Sequence, residues 1–266
     1  MGPAAGKAGI RGANQNGQSI EDPELCGIVT RHRSNHDVTG RATRRAFLAT
    51  TGAVTLGGVA GCLGAGSNAN THLAAPDSPA DPEDLAYPAY GQPVPDVSVP
   101  APLHDTTISP SDRDSTLLLT FFFSYCESVC PRLISTLRNV QAEASENGYG
   151  DQIEFLPVSF DPQRDDAARL REYADAMRID LEAGNWYFLR PDGKPRAEAV
   201  VAEQFGVKFK RTDPNPDEPG YMFAHLPLIL LVNPEGYVER AYTDKQPVWQ
   251  DVRDDTESVI EAASDE

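Results

Sequence analysis

Thr116-Leu-Leu-Leu-Thr-Phe-Phe-Phe123-Ser-Tyr-Cys126-Glu-Ser-Val-Cys130-Pro131 is the stretch that decides the fold. Its first eight residues are almost wholly apolar. A run that short and that uniformly apolar reads as a strand buried on both faces. After Pro131 the period changes: Leu133, Leu137 and Val140 share one helical face, and Asn147-Gly148 end the helix. Two cysteines therefore stand where a buried strand runs into a helix.

Outward from that junction the elements alternate. Residues 153–160 read as the next strand, broken by Asp161-Pro162, and 165–177 as a helix carrying Ala168, Tyr173 and Met177. Trp186-Tyr-Phe-Leu189 reads as a short strand and 197–205 as a helix. Residues 227–232 and 237–242 form a hairpin. Its turn, Asn233-Pro234-Glu235-Gly236, offers a proline and a glycine where a type I turn favours them. Residues 248–263 close as a helix. Strands alternating with helices, followed by a hairpin and a helix, give an α/β three-layer sandwich. The order matches a thioredoxin-like fold, in which chemistry sits where the first long strand meets its helix.

Composition limits the function. The chain has 266 residues, enough for one ordinary domain plus extensions. Forty Asp and Glu face 23 Lys and Arg, a formal charge of −17. Such a surface repels phosphate backbones and argues against a nucleic-acid partner. No run approaches about 18 consecutive apolar residues, so no spanning helix is expected. Four cysteines are too few to staple a scaffold of this size. Only five basic residues are Lys and 18 are Arg, the pattern of a halophile protein working in high salt. The plainer alternative is an acidic secreted protein.

The first sixty residues read as an address. Residues 1–37 lack apolar period and are expected to be a disordered extension. Thr43-Arg44-Arg45-Ala46-Phe47-Leu48 is a twin-arginine pattern, followed by a weakly apolar run too short to anchor as a helix. Val59-Ala60-Gly61-Cys62 then resembles a lipobox, and cleavage there would leave Cys62 for lipid attachment. Residues 38–61 are thus expected to be an export signal and the product a lipoprotein on the outer face of the cytoplasmic membrane. Translation is expected to start near Val38 through a non-AUG codon, in which case Cys26, His32 and His36 are never made. Without residues 1–61 the chain keeps 16 basic and 36 acidic residues, a formal −20. Residues 62–94, rich in Pro, Ala and Asp, read as a semi-extended tether, and 95–266 as the folded domain.

Cys126 and Cys130 carry the chemistry. Four-residue spacing puts two thiols on one side of a helical turn. A helix N-terminus favours the thiolate, the form that attacks disulfides and binds soft metals. A structural disulfide here would close almost no loop, so a functional pair is the better reading. Two thiolates plus one imidazole suit Cu(I), whereas a closed zinc site asks for a fourth ligand. His72 falls in the expected tether and reads as solvated; His104 reads as a surface residue. His225 precedes the hairpin strand, beside the thiol-bearing helix in a thioredoxin-like fold, and is the candidate third ligand.

These residues also carry a resemblance. Residues 95–264 resemble the Sco/SenC family of copper-handling proteins of thioredoxin-like fold. The matches are Phe123-x-Tyr125-Cys126-x-x-x-Cys130-Pro131, Val158-Ser-Phe-Asp161-Pro-Gln-Arg164-Asp165, Trp186-Tyr-Phe-Leu189, Phe205-Gly206-Val207, and His225 before Leu231-x-x-Pro234-x-Gly236. The resemblance implies that Cys126, Cys130 and His225 correspond to copper ligands. It implies Cu(I), with Cu(II) left open, and as partner the copper-bearing subunit of a haem-copper (cytochrome c) oxidase. Asp161 takes a supporting role near the site, or is a turn residue ending a strand. One departure is His225-Leu226-Pro227, where small hydroxyl residues are common. Pro227 falls where thioredoxins keep a cis-proline, an arrangement that favours thiol exchange. Two functions are therefore expected of the same residues: a copper metallochaperone, or a thiol-disulfide oxidoreductase with Cys126 attacking and Cys130 resolving. A redox or copper sensor lacks any output module.

Overall fold

The computed structural model describes residues 69–77, 80–213 and 220–265. The extension 1–37, the signal 38–61 and the lipid-attachment candidate Cys62 lie outside the described residues. A small antiparallel pair comes first, β1 (Val99–Ala101) and β2 (Thr106–Ile108). Strand β3 (Thr116–Phe122), helix α1 (Cys130–Asn147), β4 (Ile153–Ser159) and α2 (Ala167–Met177) follow. Next come α3 (Gly193–Ala197), continued by the π-helical turns Glu198–Gln204, and a hairpin of β5 (Phe209–Thr212) and β6 (Met222–His225). The chain ends with β7 (Ile229–Val232), β8 (Val238–Tyr242) and α4 (Trp249–Ser264).

The main sheet has the order β4-β3-β7-β8. β3 and β4 run parallel with Thr116 opposite Ile153 and Phe122 opposite Ser159, while β7 is antiparallel to both neighbours. Every residue of β3 and β4 is buried, as the unbroken apolar run requires. Alternate side chains serve opposite faces: Phe121 meets Phe205, and Phe122 meets Tyr173 of α2 and Phe188. The sheet is therefore covered on both sides, the layered thioredoxin-like arrangement. α1 starts with Pro131 in its first turn and stops at Gly148, whose φ of 79° lets its N–H return to Ala144 O. The side chain of Asp166 caps α2 by accepting from Arg169 N.

The segment Trp186-Tyr-Phe-Leu189 is not a continuous strand. It makes two isolated parallel bridges to β4, at Phe155 and at Val158. Tyr187 and Leu189 donate to Phe155 O and Pro157 O, and Phe155 and Ser159 donate back to Asn185 and Leu189. Pro157 has no N–H to offer Tyr187, and the ladder breaks there.

The described residues of the expected tether, 69–77 and 80–94, are packed on the domain and correct that expectation. Gly91, Gln92 and Val94 exchange backbone hydrogen bonds with Val238 and Gly236, and Pro93 bridges Tyr237. Ala89, Val94 and Val97 are buried. The buried carboxylate of Glu239 accepts the N–H groups of His72 and Leu73 and the amide of Asn233. His72 is not merely solvated: its Nε2 lies 3.1 Å from Glu235 Oε2. His104 is half-buried, with Nε2 3.0 Å from Trp186 O and its ring against Tyr187. Among the described residues no peptide bond is cis, so Leu226–Pro227 is trans, unlike the thioredoxin proline.

Gly206 fixes this segment from the other side. Its φ is 68°, and a Cβ there would stand 1.6 Å from Ala86 O. Only glycine fits both the conformation and the close approach. Gly206→Ala is expected to destabilise the domain by on the order of 3 kcal/mol in guanidinium unfolding. It should also make residues 80–97 the first to be cut in limited proteolysis; an unchanged midpoint and cleavage pattern would contradict the packing described.

Candidate metal centre

β3 ends at Phe122, and the loop after it carries Cys126 to the mouth of the domain. The turn is tight: Cys126 N donates to Phe123 O at 3.1 Å. Cys126 is 6% exposed, while Cys130, the first residue of α1, is fully buried. Both are free thiols. The N–H of Cys130 points at Cys126 Sγ, 3.4 Å away. His225, the last residue of β6, brings Nε2 to 3.3 Å from Cys130 Sγ. The ligand atoms of Cys126, Cys130 and His225 all lie within 4.8 Å of one another. The structure thus brings the three expected ligands together.

The imidazole is oriented by its second nitrogen. Nδ1 lies 3.0 Å from Leu226 O, which only accepts, so Nδ1 carries the proton of the neutral ring. The lone pair is then on Nε2, facing the thiols, as a metal ligand requires.

The two thiols are unequal. The Cys126 thiol is held well below its ordinary pKa, chiefly by a hydrogen bond from Cys130. The N–H groups of Ser128 and Cys130 add to this, against burial. Cys130 is pushed up, first by burial and then by its hydrogen bond to Cys126. The two shifts run in opposite directions and favour a thiolate at Cys126 over one at Cys130.

Asp161 touches neither thiol nor imidazole. Its Oδ1 accepts from the Tyr221 hydroxyl at 2.8 Å and its Oδ2 from Arg164 Nε at 2.5 Å. Its neighbour Phe160 packs on the His225 ring, 4.9 Å between centroids. A second carboxylate, Asp165, is fully buried and ties the thiol loop to β4. It accepts from Ser124 N, from Ser124 Oγ at 2.6 Å and from Ser159 Oγ at 2.5 Å. Arg169 adds bonds to Ser124 Oγ and Ser124 O. Burial raises the Asp165 pKa, against the serine hydrogen bonds. Sequence reasoning gave Asp165, Arg169 and Tyr221 no part in the site. The signal available was the run Asp161-Pro-Gln-Arg164-Asp165 after a buried strand, which places two carboxylates one helical turn apart. Tyr125, beside Cys126, is 43% exposed and lies between the guanidinium groups of Arg164 and Arg169, at 4.8 and 4.4 Å.

Fold and site together define a thioredoxin-like domain with a Cys2His cluster at the strand-to-helix junction, a donor set able to hold copper. The SCO1/SenC family profile matches residues 105–261, more than half of the chain, and the protein belongs to that family. The SCO2-like protein of Rickettsia felis is 29% identical over 133 residues, covering 49% of this chain and 60% of the relative. The SCO1 protein homolog of Bacillus subtilis is 26% identical over 143 residues, covering 53% and 69%. This chain therefore spans about three-fifths of the Rickettsia relative's length. Among solved structures, a SCO1/SenC family lipoprotein from Bacillus anthracis has a TM-score of 0.52 at 16% identity, over 66% of this chain and 96% of that one. Bradyrhizobium japonicum ScoI with copper bound has a TM-score of 0.50 at 19% identity, over 64% and 99%. At these identities the likeness is one of fold.

A lowered thiol pKa means that the thiolate persists as pH falls. Iodoacetamide should therefore modify Cys126 at a nearly constant rate between about pH 5 and pH 8, where an ordinary thiol slows roughly ten-fold per unit. Cys130 should stay unmodified in the folded protein. Peptide mapping after a timed quench reads both; a Cys126 rate that rises ten-fold per unit would contradict the assignment.

Proposed function

We propose that the protein is a copper metallochaperone. Cys126, Cys130 and His225 would hold one copper ion, as Cu(I) and with Cu(II) as a second state, and release it to a partner by ligand exchange. The observation that carries this reading is the convergence of two sulfurs and an oriented imidazole nitrogen within 4.8 Å. Support comes from the copper bound in the ScoI structures of Bradyrhizobium japonicum and Arabidopsis thaliana, which share this fold. The partner proposed is the copper-bearing subunit of a haem-copper oxidase. BsSco, of the same fold, is described as a member of the Sco family of cytochrome c oxidase assembly proteins. We place the domain on the outer face of the cytoplasmic membrane, held by a lipid on Cys62. The twin arginines, the short apolar run and Val59-Ala60-Gly61-Cys62 support that placement, and the acidic, Lys-poor composition supports work in high salt.

The unequal thiols favour a second reading, thiol-disulfide exchange. The Cys126 thiolate would attack a partner disulfide, forming a mixed disulfide and releasing one partner thiolate. Cys130 would lose its proton and attack Cys126 Sγ. The second partner thiolate leaves, the partner gains two electrons, and Cys126 and Cys130 end as a disulfide.

The two readings part at His225. Reduced protein titrated anaerobically with Cu(I) against a competing chelator should hold one ion. His225→Ala should weaken binding by more than about 100-fold, beyond the loss of an outer partner, and Cys126→Ser should abolish tight binding. Disulfide exchange should largely survive His225→Ala. Weak binding in the wild type, or binding indifferent to His225, would overturn the chaperone reading in favour of exchange.

A further inference from the structure

The three clustered ligands hang on two separate frameworks. Cys126 and Cys130 belong to the four-stranded sheet and α1. His225 belongs to the β5–β6 hairpin, a two-stranded sheet of its own. Among the described residues, no backbone hydrogen bond joins β5 or β6 to the main sheet. Beyond the three-residue link, 226–228, that joins β6 to β7, the distance from His225 to the thiols is therefore set by side chains.

Alternation along the strand selects those side chains. Tyr221, Phe223 and His225 point to one face. Each meets the domain: the Tyr221 hydroxyl donates to Asp161, the Phe223 ring packs on Phe123 and Phe160, and His225 reaches Cys130. The aromatic contacts are apolar and tolerate sliding. The Tyr221–Asp161 hydrogen bond is directional, and its acceptor is itself fixed. Asp161 is 3% exposed and paired with Arg164, whose guanidinium covers the Tyr221 ring at 3.6 Å. Arg211 lies 3.9 Å from the same ring. A one-residue slip of β6 would turn His225 to the opposite face, so this bond also fixes the register that presents the imidazole.

We propose that Tyr221, Asp161 and Arg164 are positioning residues for His225: they pin β6 to the turn after β4 and so hold Nε2 within reach of the thiols. The proposal rests on the reading of His225 as a ligand, although the placement of its ring can be tested without metal. Positioning partners of this kind contribute about ten-fold to metal affinity.

The test is Tyr221→Phe in the full chain, with Arg164→Lys as a second variant that keeps the charge and loses the planar stack. In metal-free protein, diethylpyrocarbonate should acylate His225 roughly three-fold to ten-fold faster than in wild type, the effect of one lost hydrogen bond. His72 and His104 serve as internal references. Iodoacetamide labelling of Cys126 and the unfolding midpoint should change little. Cu(I) affinity should fall about ten-fold, part of the way towards His225→Ala. Wild-type acylation of His225 in both variants would overturn the proposal. If acylation rises while His225→Ala leaves Cu(I) binding unchanged, the positioning stands and the ligand reading fails. If His225→Ala weakens binding and Tyr221→Phe alters neither quantity, the ligand reading stands and the positioning fails.

Discussion

The backbone N–H of Cys130 aimed at the sulfur of Cys126 is the contact on which the rest of the site depends. It exists because α1 begins at Cys130 and leaves its first N–H groups without partners inside the helix. A sulfur four residues earlier falls at that open end. Pro131 has no N–H to satisfy, which removes one competing donor. The same geometry makes the thiols unequal. Cys126 lies outside the helix and receives hydrogen bonds; Cys130 lies within the first turn, fully buried, and gives one. Strand β3 sets where this happens, because a strand buried on both faces has a fixed end.

Placing charge in such a dry position has a cost, and the surrounding residues share it. Asp165 is buried beneath the thiol loop and is matched by two serine hydroxyls and a backbone N–H rather than by a direct cation. Arg169 is bonded to Ser124 and so reaches Asp165 through the serine. The loop bearing Cys126 is thereby joined to β4 by buried polar contacts and to α2 by part-buried ones. Asp161, one turn earlier, faces the other way and serves the hairpin instead. Two thiolates at this depth would repel each other. One bound cation, or oxidation to a disulfide, removes that repulsion, and both chemistries use the same pair.

The main elements were legible because burial imposes periodicity. The all-apolar run of β3, the Leu133-Leu137-Val140 face of α1 and the turn Asn233-Pro234-Glu235-Gly236 follow directly from pattern. The β5–β6 hairpin was not legible. Phe209-Lys210-Arg211-Thr212 is mostly exposed, carries no apolar run, and owes its extended form to pairing with β6. Residues 69–77 and 80–94 look like a spacer by composition, since Pro, Ala and Asp dominate. Their docking depends on Glu239, a buried acceptor over 160 residues away, and on the missing side chain of Gly206. Neither is a local signal. The ligand triad was legible as three residue types at plausible positions. The tyrosine and arginine that hold its third member were not, because a hydrogen bond to Asp161 leaves no mark on periodicity.

The division of the ligands between two frameworks bears on how an ion could leave. The sulfurs are held four residues apart by a helix start, and separating them would break α1 at its first turn. The imidazole is held by its contact with the Phe160 ring, by its hydrogen bond to Leu226 O and, through Tyr221, by the bond to Asp161. Ring contacts between apolar surfaces lose little over a small displacement, whereas a helix start is lost all at once. Were copper held here and passed on by ligand exchange, His225 would be the ligand best placed to yield first, with Cys126 and Cys130 keeping hold of the ion. Tyr125 stands exposed beside Cys126 at the point of arrival, flanked by two guanidinium groups in an otherwise acidic chain. Were a partner ligand to approach Cys126 past this residue, a ring and two cations near the sulfur would add local contacts to the overall charge.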